Sequence, residues 1–316
     1  MPSPSQAADF SRGPGAGRLD SGAGPDSGAV PDAVPAHGEH RRLRESGTRA
    51  WLRRARPSLG TLVEISVNDR RHDSQLHIAL DAAFSDIERV HALMSFQAPD
   101  SELSRLNRHA AVRPQQVDPH TYAVFEAALR MAAMSGGAFN PCSAPRLEER
   151  GLFANSWRDI ELLPGGRIRY AGPVRVDLGG IAKGYAVDLA VRSLRRAGIE
   201  NMVVNAGGDL RVAGPESHDV RLRHPSAPLG SAHTAALRNA ALATSAGYFS
   251  RRSSVTGEVS ALVNPRDGRP YLGGRSISVR AENCMTADAL TKVVLFAPPA
   301  IAETVLDEFN AEAYVI

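Results

Sequence analysis

The segment Val176-Asp177-Leu178-Gly179-Gly180-Ile181-Ala182-Lys183-Gly184 decides how this chain is read. Val174 to Asp177 reads as a short strand, Gly179 and Gly180 free the backbone, and the spacing of apolar residues predicts a helix from Ala182 to Ala197 that ends at Gly198. A strand that passes through a glycine turn into a helix presents unpaired N–H groups and the positive end of the helix dipole, which suits a phosphate or pyrophosphate. Lys183, in the first turn, adds a charge. The same residues also suit a tight turn that only packs a helix on a strand, and neither the Walker spacing nor the dinucleotide fingerprint is present. On this segment alone the two readings stand level.

Working outward, Met202 to Asn205 predicts a buried strand, followed by a second glycine-rich turn, Asn205-Ala206-Gly207-Gly208-Asp209, and by Leu210 to Ala213. Ligand sites often lie at carboxyl ends of strands, so the two turns are placed to share one ligand; read alone, the second is an ordinary β-turn. Leu62 to Val67 alternates as a half-buried strand does. Leu76, Leu80, Ala83, Phe84, Ile87, Val90 and Met94 recur at helical spacing, with Asp73 or Ser74 available as the cap. Asp100 or Ser101 caps a short helix, Tyr122, Phe125, Leu129 and Ala132 mark another stopped by Gly136-Gly137, Ser276 to Val279 reads as a strand, and Thr286 to Phe296 as a helix closed by Pro298-Pro299. Strands and helices mix without strict βαβ alternation, so the fold class is α+β, a single mixed α/β domain.

Residues 1–48 are rich in Gly, Pro, Ser, Ala and Asp and hold almost no large apolar side chains, which predicts a flexible segment ahead of a folded domain over 49–316. A net charge of +3, from 37 basic and 34 acidic residues, does not imply a nucleic-acid partner. The two cysteines, Cys142 and Cys284, exclude a disulfide framework and a cysteine zinc site; sequence leaves a single bridge open, and they read as two buried or idle thiols. No stretch has the ~20 apolar residues of a transmembrane helix or the apolar run of a signal peptide, and none follows Arg41-Arg42 or Arg53-Arg54. As written the chain is cytoplasmic.

The order and wording of several segments together carry a resemblance. Arg56 to Thr61, Met94-Ser95 with Asp100 to Asn107, Gly136 to Asn140, Asp177 to Asp188, Val204 to Asp209, Ala243 to Ser245, Asn264 to Gly268 and Ala287 to Leu290 resemble, in order, the segments of the ApbE family of flavin transferases. The resemblance runs from residue 56 to about 296 and is most specific between Asp177 and Asp209. It implies a T-fold-like mixed α/β domain that holds FAD and, with Mg2+, moves FMN onto a Thr or Ser of an acceptor flavoprotein, releasing AMP. It also implies relatives that work in the periplasm or at a membrane.

Carried over by position, Asp177 and Lys183 match family FAD contacts, and Leu59, Gln97 and Ala138, Phe139 and Asn140 line the flavin region. Gly180 offers a carbonyl to the metal, Asp288 matches the main metal carboxylate, and Thr291 stands one residue before the family's second ligand. An oxygen-donor site of that kind suits magnesium.

The departures cluster in the catalytic half of the pattern. Lys292 stands where the family commonly has a metal-binding Thr, and at i, i+4 it faces Asp288 as a salt-bridge partner. The family's His-x-x-Asp-Pro reads Ala261-Leu262-Val263-Asn264-Pro265, so the position of the general base carries no proton acceptor and the catalytic residue is unassigned; His218, His224 and His233 are nearby in sequence. Loss of a general base typically costs ~10²–10⁴-fold in rate. Gly247 replaces a usual acid, and Gln97 a usual Tyr. Three readings remain: a transferase with redrawn contacts, a non-catalytic FAD-binding protein, and an FAD pyrophosphatase that gives FMN and AMP.

Overall fold

Alternation in the sequence becomes a sheet whose central strands are covered on both faces. The computed structural model describes residues 51–143, 156–225, 227–247, 252–254, 257–260 and 262–316. The expected flexible segment 1–48 and Ala261 lie outside the described residues. Strands β1 (Leu52–Ser58), β2 (Thr61–Val67), β3 (Met202–Ala206), β4 (Asp209–Ala213), β5 (Ala241–Ala246), β6 (Ser276–Ala281) and β7 (Glu312–Val315) form a seven-stranded sheet in that order. Every neighbouring pair is antiparallel. Sheet order therefore follows chain order, and the helices are insertions between strands. They are α1 (Asp73–Met94), α2 (Glu102–His109), α3 (Pro119–Met134), α4 (Ala182–Arg196), α5 (Cys284–Phe296) and α6 (Pro299–Glu308). None is long and apolar enough to cross a membrane.

Val63, Ile65, Val67, Met202, Val204, Ala243, Ile277 and Val279 bury one face of the sheet in a core shared with α1, α4 and α5. The other face carries Leu210, Val212 and Leu242, covered by the hairpin of His218–His224 and Ala227–Leu237. The period of two thus serves two cores, which is why β4 and β5 are buried along nearly their whole length. Cys142 and Cys284 are both buried and form no disulfide with each other.

Local expectations hold with a few corrections. Ser101 does cap α2, its hydroxyl accepting from Ser104 N at 3.0 Å. The cap of α1 is instead His72, whose ring accepts from Ser74 N, while Asp73 enters the helix and sits in its first turn, where the dipole favours it.

The expected strand Val174 to Asp177 is not paired into any sheet. Asn107 of α2 supplies what a neighbouring strand would: its amide donates to Val176 O at 2.9 Å and its carbonyl accepts from Val176 N at 2.9 Å. Asp177 N donates to Pro141 O at 2.8 Å. The segment is extended because its two backbone groups are answered by one side chain. Replacing Asn107 by Ala leaves both without their partners, at ~1 kcal/mol or more each, so chemical denaturation should read a loss of about 2 kcal/mol. A loss below ~0.5 kcal/mol would mean that water replaces the amide freely.

Candidate functional site

Three turns meet at one end of the sheet. Leu59 and Gly60 join β1 to β2 with φ of 54° and 72°, and Gly207 and Gly208 join β3 to β4 with φ of 66° and 106°. Positive φ at both central residues is what a tight hairpin matching strand twist demands. For Leu59 it is an uncommon, sterically costly conformation. A Cβ built on Gly207 would lie 2.4 Å from Thr61 Oγ1, so the two turns lie side by side. The third is Gly179-Gly180, which leads into α4; the N-cap of that helix, Ile181, offers no side-chain acceptor.

Helix α4 crosses the start of α5 at close range, and Gly184 permits it. Its N–H reaches Asp288 Oδ2 at 3.3 Å. One turn on, Asp188 accepts from Cys284 N at 2.9 Å and Met285 N at 2.8 Å, satisfying the first turn of α5, and from Arg211 Nη1 of β4 at 2.7 Å. Burial pushes the Asp188 carboxyl above its ordinary range, although Arg211 and the two N–H groups pull the other way.

Above this crossing lies a cluster of four charges. Lys183 binds Asp209 Oδ2, and its Nζ is 3.9 Å from Asp288 Oδ2. Lys292 binds the other oxygen, Asp288 Oδ1, and also donates to Asp288 O at 3.0 Å. The two carboxylates are almost fully buried; 34% of the Lys183 side chain and 14% of the Lys292 side chain are exposed. Burial alone raises the Asp288 carboxyl, but Lys183 and Lys292 outweigh it and hold the group below its ordinary range. Asp209 is pushed up by burial and by Asp288 beside it, beyond what the lysines offset. Burial disfavours the Lys183 ammonium, yet Asp209 and Asp288 more than compensate and keep it charged.

The residues singled out from sequence fall around this cluster to different degrees. A Cβ on Gly180 would meet Lys292 Cε at 3.4 Å and Phe139 Cε2 at 3.5 Å, so Gly180, Phe139 and Lys292 share one point in space with Asp288. Asn140 accepts from Cys142 N at 2.9 Å, in the turn that holds Asp177 through Pro141. Asp177 accepts from Gly179 N at 2.7 Å, shaping the glycine turn. Ala138 is buried beside Phe139. Leu59 sits in the first hairpin turn at this end of the sheet. Gln97 is exposed in the link between α1 and α2, next to Phe96, over which Arg175 stacks at 5.2 Å.

Asp209 and Asp188 were missed as site residues. The signal for Asp209 was its place straight after Gly207-Gly208, the end of a hairpin turn; for Asp188 periodicity gives no signal, since it is one acid within an amphipathic helix, and only its place at the end of the segment Asp177 to Asp188 marks it. Histidines 218 and 233 stand on the hairpin that covers the opposite face, His218 edge-on to Trp51 at 5.1 Å and His233 tilted over Tyr314 at 4.9 Å, away from the charge cluster. Gly247 has no room for the usual acid, because a Cβ there would lie 2.7 Å from Gly273 O. Asn264 accepts from Arg266 N at 3.0 Å, a turn role that Asp fills equally well.

The residues present do not fit a magnesium site. Thr291 gives its one proton to Asp288 O at 2.7 Å, so Ser245 is the donor in the 2.7 Å contact between the two hydroxyls. One oxygen of Asp288 is held by Lys292, and the other faces Gly184 N and Lys183. Among the described residues no three His, Cys, Asp or Glu side chains gather in one place, and Asp209 and Asp288 are each already paired with a lysine. What the arrangement offers is ammonium and N–H donors beside a glycine turn, a cradle for phosphate oxygens.

The model of the ApbE family matches residues 59–315. The chain belongs to the ApbE family. Among curated relatives, FAD:protein FMN transferase of Treponema pallidum is 29% identical over 288 residues, covering 77% of this chain and 79% of that protein. The Vibrio cholerae protein of the same name is 30% identical over 230 residues, covering 65% and 69%. Among solved structures, the ApbE protein of Thermotoga maritima superposes with a TM-score of 0.72 at 25% identity, covering 84% of this chain and 94% of that one. The flavin transferase ApbE of Vibrio cholerae gives 0.69 at 24% identity, covering 84% and 93%. The expected α+β fold, one mixed α/β domain of ApbE type, is the fold observed.

Proposed function

We propose that this chain is an FAD:protein FMN transferase, whose ApbE-like domain spans residues 49–316. It holds FAD with the pyrophosphate against Lys183 and the Gly179-Gly180 turn and the flavin toward Phe139, Ala138, Asn140 and Leu59. The acceptor's Thr or Ser hydroxyl oxygen bonds to the FMN phosphorus while the pyrophosphate P–O bond breaks; AMP leaves with that electron pair, and the hydroxyl proton passes to solvent water, the base position being Ala261. Ammonium groups stabilise the charge on the phosphates and on the leaving AMP, and fixed placement supplies in-line geometry. The observation that carries the reading is the meeting of Phe139, Gly180, Lys183, Asp288 and Lys292, drawn from distant segments, at one place beside the Gly179-Gly180 turn.

A second reading, an FAD-binding protein without transfer, draws support from Ala261 at the base position and from the commitment of Asp288 to Lys292. The test is to incubate the protein with FAD, with and without magnesium, beside a threonine-bearing acceptor domain, following AMP release and covalent flavin fluorescence on a denaturing gel. We expect AMP and a fluorescent acceptor together. AMP without labelling indicates the pyrophosphatase, and FAD retained unchanged indicates the binding protein.

A further inference from the structure

We propose that the Lys292 ammonium stands in place of a metal ion, so that two tethered lysines grip the FAD pyrophosphate and binding needs no divalent cation. The inference rests on the FAD reading above. A single side chain has to bring charge, be held still and keep donors to spare, and Lys292 meets each requirement. Its stem runs beside Gly180, where a Cβ would meet Cε at 3.4 Å and Cδ at 3.9 Å. Its head is fixed twice on Asp288, at Oδ1 and at the main-chain oxygen. An ammonium has three N–H donors, so one remains on Lys292, and Lys183, which spends one on Asp209, retains two.

The two lysines straddle the Asp288 carboxylate from opposite oxygens, with the Lys292 head held by Asp288 and the Lys183 head by Asp209. A dication entering here would have to displace Lys292 from Oδ1 and then lie beside two ammonium groups, which repel it. Thr291, adjacent in sequence, is fully buried, donates to Asp288 O and accepts from Ser245, which leaves it a single lone pair. Net charge at the cluster is balanced by two lysines and two aspartates, and the attraction for phosphate is completed by the uncapped first turn of α4.

The experiment is a fluorescence titration of FAD with the full chain, in EDTA and in millimolar magnesium. The expected dissociation constants agree within about twofold. Lys292→Met, which keeps the stem over Gly180 but removes the charge, should weaken binding by about tenfold in either buffer. Lys292→Thr should weaken it similarly in EDTA and recover in magnesium, and only this variant should bind Mn2+ alone in a paramagnetic resonance titration. Wild-type binding tightened about tenfold or more by magnesium overturns the inference while leaving the FAD reading intact. So does a Lys292→Met variant that binds FAD as tightly as wild type. Absence of FAD binding in both buffers overturns the FAD reading and this inference with it.

Discussion

Replacing Asp188 by Ala is expected to cost about 3–5 kcal/mol of folding stability, the range for removing one partner of a buried ion pair. Three donors lose their acceptor at once: the N–H groups of Cys284 and Met285, which open α5, and the Arg211 guanidinium. Water cannot answer them well, because the Asp188 side chain is only 8% and the Arg211 side chain only 14% exposed. The upward push of burial on the Asp188 carboxyl indicates that the intact pair is itself no large stabiliser; the cost comes from what its removal strands. A double change, Asp188→Ala with Arg211→Ala, should therefore cost less than the sum of the single changes, because neither charge is left alone. Urea denaturation followed by circular dichroism reads both. A single-variant loss below ~1 kcal/mol would place Asp188 among ordinary solvated carboxylates.

Gly184→Ala is the second large effect. The added methyl would lie 2.3 Å from Cys284 O, 2.6 Å from Cys284 C and 2.8 Å from Met285 Cα, all backbone atoms that no rotamer can move aside. Helices α4 and α5 must part. Overpacking costs typically 1–3 kcal/mol, and a clash of main chain on main chain belongs at about 3 kcal/mol. The same displacement draws Asp288 away from Gly184 N and Lys183, so FAD binding should fall by more than about tenfold even where the variant remains folded. Gly172→Ala, which meets no atom within 4 Å, is the matched control and should stay within about 0.5 kcal/mol of wild type. Equal stability of the two variants would show that the helix crossing is looser than its geometry implies.

Much of the scaffold was legible because its signals are local. The period-two alternation at Leu62 to Val67 and the helical spacing from Leu76 to Met94 each bury one face, and each became the element its period predicts. Ser101 as a cap was legible for the same reason, since a cap acts on an N–H three residues away. Val174 to Asp177 was read as a strand from composition, but its partner is the side chain of Asn107, 69 residues distant, which no local pattern encodes.

For the site, the sequence alone determined the glycine turn that leads through Gly179 and Gly180 into the helix of Lys183, the family resemblance, and the pairing of Asp288 with Lys292, which one helical turn brings together. Tertiary structure alone decided that Lys183 meets Asp209 and Asp288, that Asp188 caps a helix 96 residues away, and that Thr291 turns toward Ser245. The reason is physical: periodicity, caps and i, i+4 pairs are interactions along the chain, whereas a buried charge is satisfied by whatever donor the packing of α4, α5 and the sheet brings within reach.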